Sequence, residues 1–321
     1  MMRNSILNAK HILLGSKLDG DQWNDMPVPW SYSTDPNDEL VAVRTRAGLF
    51  DISALNIVHV TGDDAESVLN QLVAKDIAKL KVGTATLAAE VNEAGALCDD
   101  IMIIRDGVSA FRVSHGSGTT LQSLLVLAEG KKVKIVKDED VHIVSLQGPK
   151  TLEILAPHVG FKLADLPYFN HKDTTLFGKA VTISRGGYSG EFGYEIASAS
   201  KDMVEIWDRI LEIGKPLGVI AASWNALELA RMEAALPFFP FEMPEGDTTP
   251  WEAGLGWAVD LDKQASYIGK DAVMKSREHA RVKQVGLVCH SPVAVEPGAK
   301  IMVAGKEVGV ITSGSFSRFS N

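Results

Sequence analysis

The sequence of 321 residues contains little cysteine, and none of its residues have the spacing typical of metal ligands. Its two cysteines, Cys98 and Cys289, form no CxxC motif, and its eight histidines include no HxH or HxxxH pair. We therefore expect neither a disulfide framework nor a metal site. The chain also lacks a GxSxG segment and any spacing of cysteine with histidine that would indicate nucleophilic catalysis.

Long apolar runs and an excess of positive charge are missing as well. No stretch approaches the roughly 20 apolar residues that span a bilayer, and the first residues lack the apolar core of a signal peptide. The formal net charge of -9 argues against nucleic-acid binding, although it leaves room for a local basic pocket. These absences predict a cytoplasmic protein that binds neither nucleic acid nor membrane.

What the sequence does contain is ordinary globular composition, with 45% hydrophobic and 23% charged residues. Its length predicts two or three structural units. Residues 84–114 alternate as three strands joined by the turns NEAG and RDG. Residues 177–198 read as a strand, a glycine-rich loop and a strand, and residues 201–218 as a long amphipathic helix with Met203, Ile206, Trp207 and Ile210 on its buried side. Near the end, QVGLVCHS, AKIMVAG and KEVGVITSGSF predict strands of a small β domain.

The segment AGALCDDIMIIR places two carboxylates side by side, Asp99 and Asp100. Neighbours in a strand point to opposite faces, so one of the two is expected to face inward. A poorly solvated carboxylate there could hold a protonatable nitrogen or transfer a proton. The alternative is that the pair only hydrogen-bonds a turn at the end of the hairpin.

The segment SRGGYSGEFGYEI has four glycines between two predicted strands. Such a loop lets a ligand approach the backbone closely, but its spacing is not that of a phosphate-binding motif. Tyr188 could stack on an aromatic heterocycle, and Glu195 could accept hydrogen bonds from a ring such as a pterin. An ordinary turn with a surface carboxylate is the alternative.

A third segment, PFEMPEGDTTPWEAGLGWAVDLDK, is rich in proline, acidic residues and tryptophan. Its composition would suit a wall between domains. Rigid packing of Trp251 and Trp257 is the alternative reading.

Taken in order, eight segments resemble the folate-dependent aminomethyltransferase family whose best-known member is the T-protein of the glycine cleavage system. They are HILLGSKL, VAVRTRAGLFDIS, NEAGALCDDIMI, LQGP, SRGGYSGEFGYEI, LARMEAAL, PWEAGLGWAV with YIGKDA, and VGVITSGSFS. The resemblance implies an α+β, multi-domain cloverleaf. Residues 1–55 with 138–245 would form a discontinuous folate-binding α/β domain, 56–137 an inserted α/β domain carrying Asp100, and 246–321 an incomplete C-terminal β-barrel-like domain.

The resemblance also implies a tetrahydrofolate-dependent transfer of an aminomethyl or methyl group. Asp100 matches the family's essential acidic residue, with an implied role in positioning the folate and the aminomethyl nitrogen. The implied cofactor-binding positions are Tyr188, Glu195, Leu87, Ser114 and Trp257. The implied donor is a small molecule or a lipoyl carrier protein, and the chain is expected to act as a monomer or a homodimer.

Several positions depart from the family pattern, which has Tyr at Leu87, Asn near Ser114, His-Met at Ala54-Leu55 and Arg-Asp at Leu227-Glu228. The family's C-terminal domain also continues beyond ITSGSFS. These changes leave the one-carbon donor open. The alternatives are a related demethylase of an N-, S- or O-methyl compound, or a non-catalytic folate-binding or partner-binding homologue. The KGCYxGQE signature of the iron–sulfur-assembly branch is absent, so that branch is not favoured.

Overall fold

The computed structural model of the chain describes residues 3–116 and 118–319. The chain divides into two compact units. The first unit comprises Met1–Leu55, Glu139–Leu236 and Ser317–Asn321, and the second comprises Asn56–Asp138 and Pro237–Phe316. Both units are therefore built from segments that are separated in the sequence. The three-domain division expected from the sequence stays a prediction.

Helices and strands of the described residues alternate along the chain. The helices are α1 (Asn8–Leu13), α2 (Pro36–Thr45), α3 (Ala65–Leu72), α4 (Thr120–Ala128), α5 (Thr151–Leu155), α6 (Ser200–Gly214), α7 (Trp224–Glu233) and α8 (Lys270–Ser276). The strands are β1 (Gln22–Trp23), β2 (Met26–Pro27), β3 (Gly48–Asp51), β4 (Asn56–Thr61), β5 (Ala85–Val91), β6 (Leu97–Gly107), β7 (Ala110–His115), β8 (Lys134–Lys137), β9 (Val141–Gln147), β10 (His171–Leu176), β11 (Lys179–Arg185), β12 (Gly193–Ala199), β13 (Ile220–Ala221), β14 (Lys300–Val303) and β15 (Lys306–Val310).

The first unit is organised around a six-stranded sheet with the order β10-β11-β12-β9-β3-β13. One face of this sheet carries the apolar core, which includes Leu146, Ile183 and Ile196. Helix α6 packs into the same core through the side chains predicted from its 3.6-residue period: Met203, Ile206, Trp207 and Ile210. The amphipathic helix predicted from the sequence is therefore confirmed.

A buried hydrogen-bond network ties the start of the chain to the sheet of the first unit. His11 Nε2 lies 2.9 Å from Asp51 Oδ2, and the Tyr32 hydroxyl lies 2.9 Å from His11 Nδ1. Ser5 and Ser53 donate their hydroxyls to the two oxygens of Asp51. Every oxygen of this buried carboxylate is thus satisfied, as burial of a charged group requires.

The second unit contains a five-stranded antiparallel sheet with the order β5-β6-β7-β4-β8. Helices α3 and α4 cover one face through a core that includes Leu69, Ile101 and Leu124. A second apolar cluster packs Ala89 of β5 and Leu97 of β6 against residues 239–273. The three strands and two hairpins predicted for residues 84–114 are confirmed as β5, β6 and β7.

The end of the second unit differs from the sequence-based expectation. AKIMVAG and KEVGVITSGSF do form strands, the hairpin β14-β15, but QVGLVCHS does not. A strand needs a partner for its backbone groups, whereas in residues 284–291 the N–H of Gln284 donates to the carbonyl of Glu252 and that of Ser291 to Cys289, and these two bonds form no strand ladder. The sheets of the described residues are open, and none of them closes into a barrel.

The mixture of open sheets and packed helices in two units confirms the α+β, multi-domain class. None of the described helices is both long and apolar enough to cross a lipid bilayer.

Lys263 closes the end of α3 in the second unit. Its ammonium group is buried and donates hydrogen bonds to the carbonyls of Asn70 (2.7 Å), Val73 (2.8 Å) and Lys75 (2.7 Å). Lys263→Met should lower the free energy of unfolding by about 3 kcal/mol, because the three carbonyls would lose their shared donor. Urea unfolding measures this change. The exposed Lys132→Met should change the free energy by less than about 0.5 kcal/mol. Equal effects of the two substitutions would contradict the capping role.

Candidate functional site

The acidic pair lies in β6, where the strand's period of two sends the two carboxylates to opposite faces. Burial alternates along this strand, with Asp99, Ile101 and Ile103 fully buried. Asp100 shares the opposite, partly exposed face with Cys98 and Met102. The expectation that one of the two acidic residues faces the core is thus confirmed, and that residue is Asp99.

The register of three neighbouring strands brings other predicted positions to the face of Asp100. Leu87 of β5 pairs with Met102 of β6, which in turn pairs with Ser114 of β7. Met102 is two residues beyond Asp100, so all of these side chains point to the same side of the sheet. Trp257 lies outside the sheet, in the short helix Gly256–Ala258, and its side chain is 53% exposed.

The surroundings of Asp100 favour its neutral form. Burial raises the pKa of this carboxyl well above its ordinary value, and the negative charge of Asp99 raises the pKa further; the backbone N–H of Asp100 acts in the opposite direction. No side chain of the described residues donates a hydrogen bond to it. A carboxyl with a raised pKa holds a proton that an ordinary aspartate has released, and such a proton can serve general acid–base chemistry.

The glycine-rich loop predicted between two strands is present in the first unit, between β11 and β12. It is held by Gln147 of β9, whose amide donates to the carbonyl of Gly186 at 3.0 Å and accepts from the Ser189 hydroxyl at 2.7 Å. A Cβ at Gly187 or Gly193 would lie 2.1 or 2.2 Å from this amide group. The glycines therefore allow Gln147 to pass against the loop.

Arg44 of α2 holds the same loop from another direction. Its guanidinium donates to the Ser189 carbonyl at 2.6 Å, to Glu191 at 3.3 Å, and to the Ala230 carbonyl and the Glu233 carboxylate of α7. These bonds connect the loop that carries the half-buried Tyr188 to two helices. A planar guanidinium with five donors suits such a branched set of acceptors.

Sequence reasoning missed both Gln147 and Arg44, although each lies in a segment that carried the family resemblance, LQGP and VAVRTRAG. Only the structure shows that Gln147 and Arg44 hold the glycine-rich loop, because the glycines and carbonyls that they contact are distant from them in the sequence.

Glu195 lies on β12, on the sheet face opposite the apolar core of the first unit. Its neighbours across the strands are Ser145 of β9 and Ser184 of β11. Among the described residues, none donates a hydrogen bond to its carboxylate or pairs with its charge. Burial raises the pKa of Glu195 to about 7, and burial together with the charge of Glu195 raises the pKa of Tyr168.

The predicted site residues thus fall into two groups, one in each unit. Tyr188 and Glu195 belong to the first unit, and Asp100, Leu87, Ser114 and Trp257 belong to the second. No group of three or more His, Cys, Asp or Glu side chains in residues 3–116 and 118–319 is arranged to hold a metal ion.

The unpartnered Glu195 should lower the stability of the protein as pH rises. Between pH 4.5 and about 7 the unfolded chain has lost this proton while the folded chain keeps it, so stability falls across that window. We expect Glu195→Gln to gain about 2 kcal/mol over the wild type between pH 5 and pH 8. Urea unfolding at several pH values measures the difference. The exposed Glu153→Gln serves as the control, and a difference independent of pH would contradict the assignment.

Comparisons with known proteins identify the family of this chain. The GCVT N-terminal domain model matches residues 17–263. The chain is 40% identical to the heme-dependent oxidative N-demethylase gamma subunit of Ectopseudomonas mendocina, covering 99% of this chain and 86% of that protein. It is 33% identical to an aminomethyltransferase of Synechococcus elongatus, over 87% of this chain and 76% of that one.

Solved structures agree with the sequence comparisons. The crystal structure of glycine cleavage system aminomethyltransferase T from Bartonella henselae matches with a TM-score of 0.88 and 26% identity, over 99% of this chain and 87% of that one. Among the sequence relatives, an aminomethyltransferase of Thermotoga neapolitana is 32% identical over 98% of this chain and 86% of that protein. The fold, the family model and the relatives agree: this chain belongs to the glycine cleavage T-protein family of folate-dependent aminomethyltransferases.

Proposed function

We propose that this protein transfers a one-carbon unit to tetrahydrofolate and that the unit comes from the N-methyl group of an amine. The observation that carries the transferase proposal is Asp100, a carboxyl with a raised pKa and no side-chain donor, in the DD motif of the family. The proposed source of the one-carbon unit comes from the 40% identity to an oxidative N-demethylase subunit, compared with 33% to aminomethyltransferases.

The chemistry of the first unit fits tetrahydrofolate. A pterin ring offers adjacent N–H donors, and Glu195 is a buried acceptor without a donor from the described residues. Its pKa of about 7 describes the carboxyl without such a ligand, and two donors would favour the ionised form. We propose that Glu195 accepts from the pterin and that Tyr188, on the loop held by Gln147 and Arg44, contacts its aromatic face.

Bound tetrahydrofolate supplies a nucleophilic nitrogen for the one-carbon unit. The protein's own contribution is then to position the reactants and to transfer one proton. Asp100 is proposed to do the second: its neutral carboxyl gives a proton to the departing group, and the resulting carboxylate takes up the proton that the folate nitrogen releases as the new carbon–nitrogen bond forms. Leu87 and Ser114 lie on the same sheet face, so they are proposed to contact the same reactants.

Oxidative N-demethylation could supply the one-carbon unit to such a site. Two-electron oxidation of an N–CH₃ group and hydrolysis give the amine and formaldehyde, and tetrahydrofolate takes up formaldehyde with loss of one water. We propose that the oxidation occurs on a protein partner of this chain, since its relative is named as one subunit of an oxidative N-demethylase. An aminomethyl-loaded lipoyl carrier protein is the second candidate donor, supported by the aminomethyltransferase relatives.

Replacing Asp100 tests the proposed transfer. Asp100→Asn keeps the shape of the side chain and removes its proton chemistry, so the protein-dependent rate should fall by about 100-fold or more while folate still binds. The assay is formation of 5,10-methylenetetrahydrofolate above the uncatalysed rate, and calorimetry reports tetrahydrofolate binding. Asp106→Asn, on the same strand but paired with Arg112, should keep the wild-type rate. A fully active Asp100→Asn protein would rule out the assigned role.

The donor is identified by supplying alternatives to the same assay. Formaldehyde represents the product of N-demethylation, and an aminomethyl-loaded lipoyl carrier protein represents glycine cleavage. We expect turnover with the first and at least tenfold less with the second. The reverse order would assign the chain to glycine cleavage, and folate binding without turnover on either donor would favour the non-catalytic alternative.

A further inference from the structure

Directly behind Asp100, on the core face of its sheet, the second unit buries a cluster of polar side chains. Glu90 of β5 is 2% exposed, Asp99 of β6 0%, His115 of β7 4%, and Thr120 of α4 0%. Glu90 and Asp99 face each other across paired strands. Two carboxyls and an imidazole in an apolar core are unusual, because each carries a desolvation cost.

Asp99 is the centre of this cluster. Its Oδ1 accepts the backbone N–H of Asp100 at 2.9 Å. Its Oδ2 accepts the N–H of Gly118 at 3.0 Å and lies 3.6 Å from His115 Nδ1. It also lies 3.3 Å from the Thr120 hydroxyl, whose single proton goes to Glu90 Oε2 at 2.6 Å. Two backbone donors therefore converge on one buried carboxylate.

The chain approaches Asp99 more closely than a side chain at position 118 would permit. A Cβ on Gly118 would lie 2.5 Å from Asp99 Oδ2 and 2.5 Å from the Cys98 carbonyl. The absence of a side chain at Gly118 therefore allows a backbone donor to reach the buried carboxylate.

Glu90 and Cys98 are neighbours of Asp99 whose pKa values are raised. Burial raises the pKa of Glu90, against the Thr120 hydroxyl bond that lowers it. Burial, with the charges of Glu90, Glu245 and Asp99, raises the pKa of the Cys98 thiol to about 11. The other titratable neighbour is His115, whose two ring nitrogens have no hydrogen-bond partner among the described residues. Of these groups, Asp99 is the one whose charge acts on the Asp100 carboxyl.

We propose that Asp99 is a positioning residue for Asp100: from the core face its carboxylate fixes the backbone amide of Asp100 and places a negative charge beside the Asp100 side chain. The functional part of this inference rests on the proposed role of Asp100 in transfer. The two adjacent aspartates then have separate tasks: Asp100 faces the reactants, and Asp99 is held from the core side by the backbone N–H of Gly118.

Carboxyl NMR of the ligand-free protein tests the coupling without folate or a donor. The protein is labelled with ¹³C at the aspartate side-chain carboxyl, and the signal lost in Asp100→Asn identifies Asp100. In Asp99→Asn the titration midpoint of Asp100 should fall by on the order of one pH unit, because a neighbouring negative charge has been removed. If transfer depends on Asp100, the pH profile of its rate moves in the same direction.

Matched variants separate charge from structure. Glu90→Gln should move the Asp100 midpoint less than Asp99→Asn does, because the charge that raises the pKa of Asp100 is that of Asp99. Asp106→Asn, on the same strand but paired with Arg112, should leave the midpoint unchanged. If Asp99→Asn does not fold, Gly118→Ala replaces it, since its methyl group must displace the Asp99 carboxylate and shift the Asp100 midpoint.

An Asp100 midpoint that stays constant in Asp99→Asn, or in Gly118→Ala where the first variant does not fold, would overturn the positioning role. The result is independent of the transfer assay. If the Asp100 midpoint shifts in Asp99→Asn but the wild-type protein has no transferase activity, only the proposed function is contradicted. If the midpoint stays constant and the wild-type protein is active, only the positioning role of Asp99 is contradicted.

Discussion

The hydrogen-bonded register of β5, β6 and β7 is the constraint on which the second unit depends. It decides that Asp99 enters the core while Asp100 faces outward beside Leu87 and Ser114. Because the side-chain period of a strand is two, a slip of one residue would exchange the two aspartates. Burial of Ile101 on the face of Asp99 opposes that slip, since exposing this side chain would cost about 2 kcal/mol.

Each unit contains a carboxyl that is shielded from water and receives no hydrogen bond from a side chain of the described residues. This feature distinguishes the candidate site residues Asp100 and Glu195 from carboxyls such as Asp51 and Asp99, whose oxygens accept hydrogen bonds. Asp51 and Asp99 are buried with hydrogen-bond donors on both oxygens. Asp100 and Glu195 have raised pKa values and no side-chain donors among the described residues. A fold that maximised stability would remove such groups, so their presence is a physical argument for a ligand or a reaction.

The glycine-rich loop of the first unit shows a different kind of constraint. Its glycines leave room for the Gln147 side chain to contact the loop. The position of the loop depends on the hydrogen bonds of Arg44 to Ser189 and to α7. The loop's conformation is therefore set by residues more than thirty positions away in the sequence. Tyr188 and Glu195, by contrast, were identified from the loop itself, and their roles remain predictions.

The sequence by itself determined the family, the α+β class, the three strands around the acidic pair and the buried face of α6, because these follow from local periodicity and motif order. Only the tertiary structure decided that Asp99 is the buried member of the pair and that residues 284–291 form no strand. Both depend on partners distant in sequence: Gly118 supplies a backbone donor to Asp99, whereas residues 284–291 have no strand among the described residues to pair with. Hydrophobic periodicity records which side chains avoid water, and it carries no information about which backbone groups will meet.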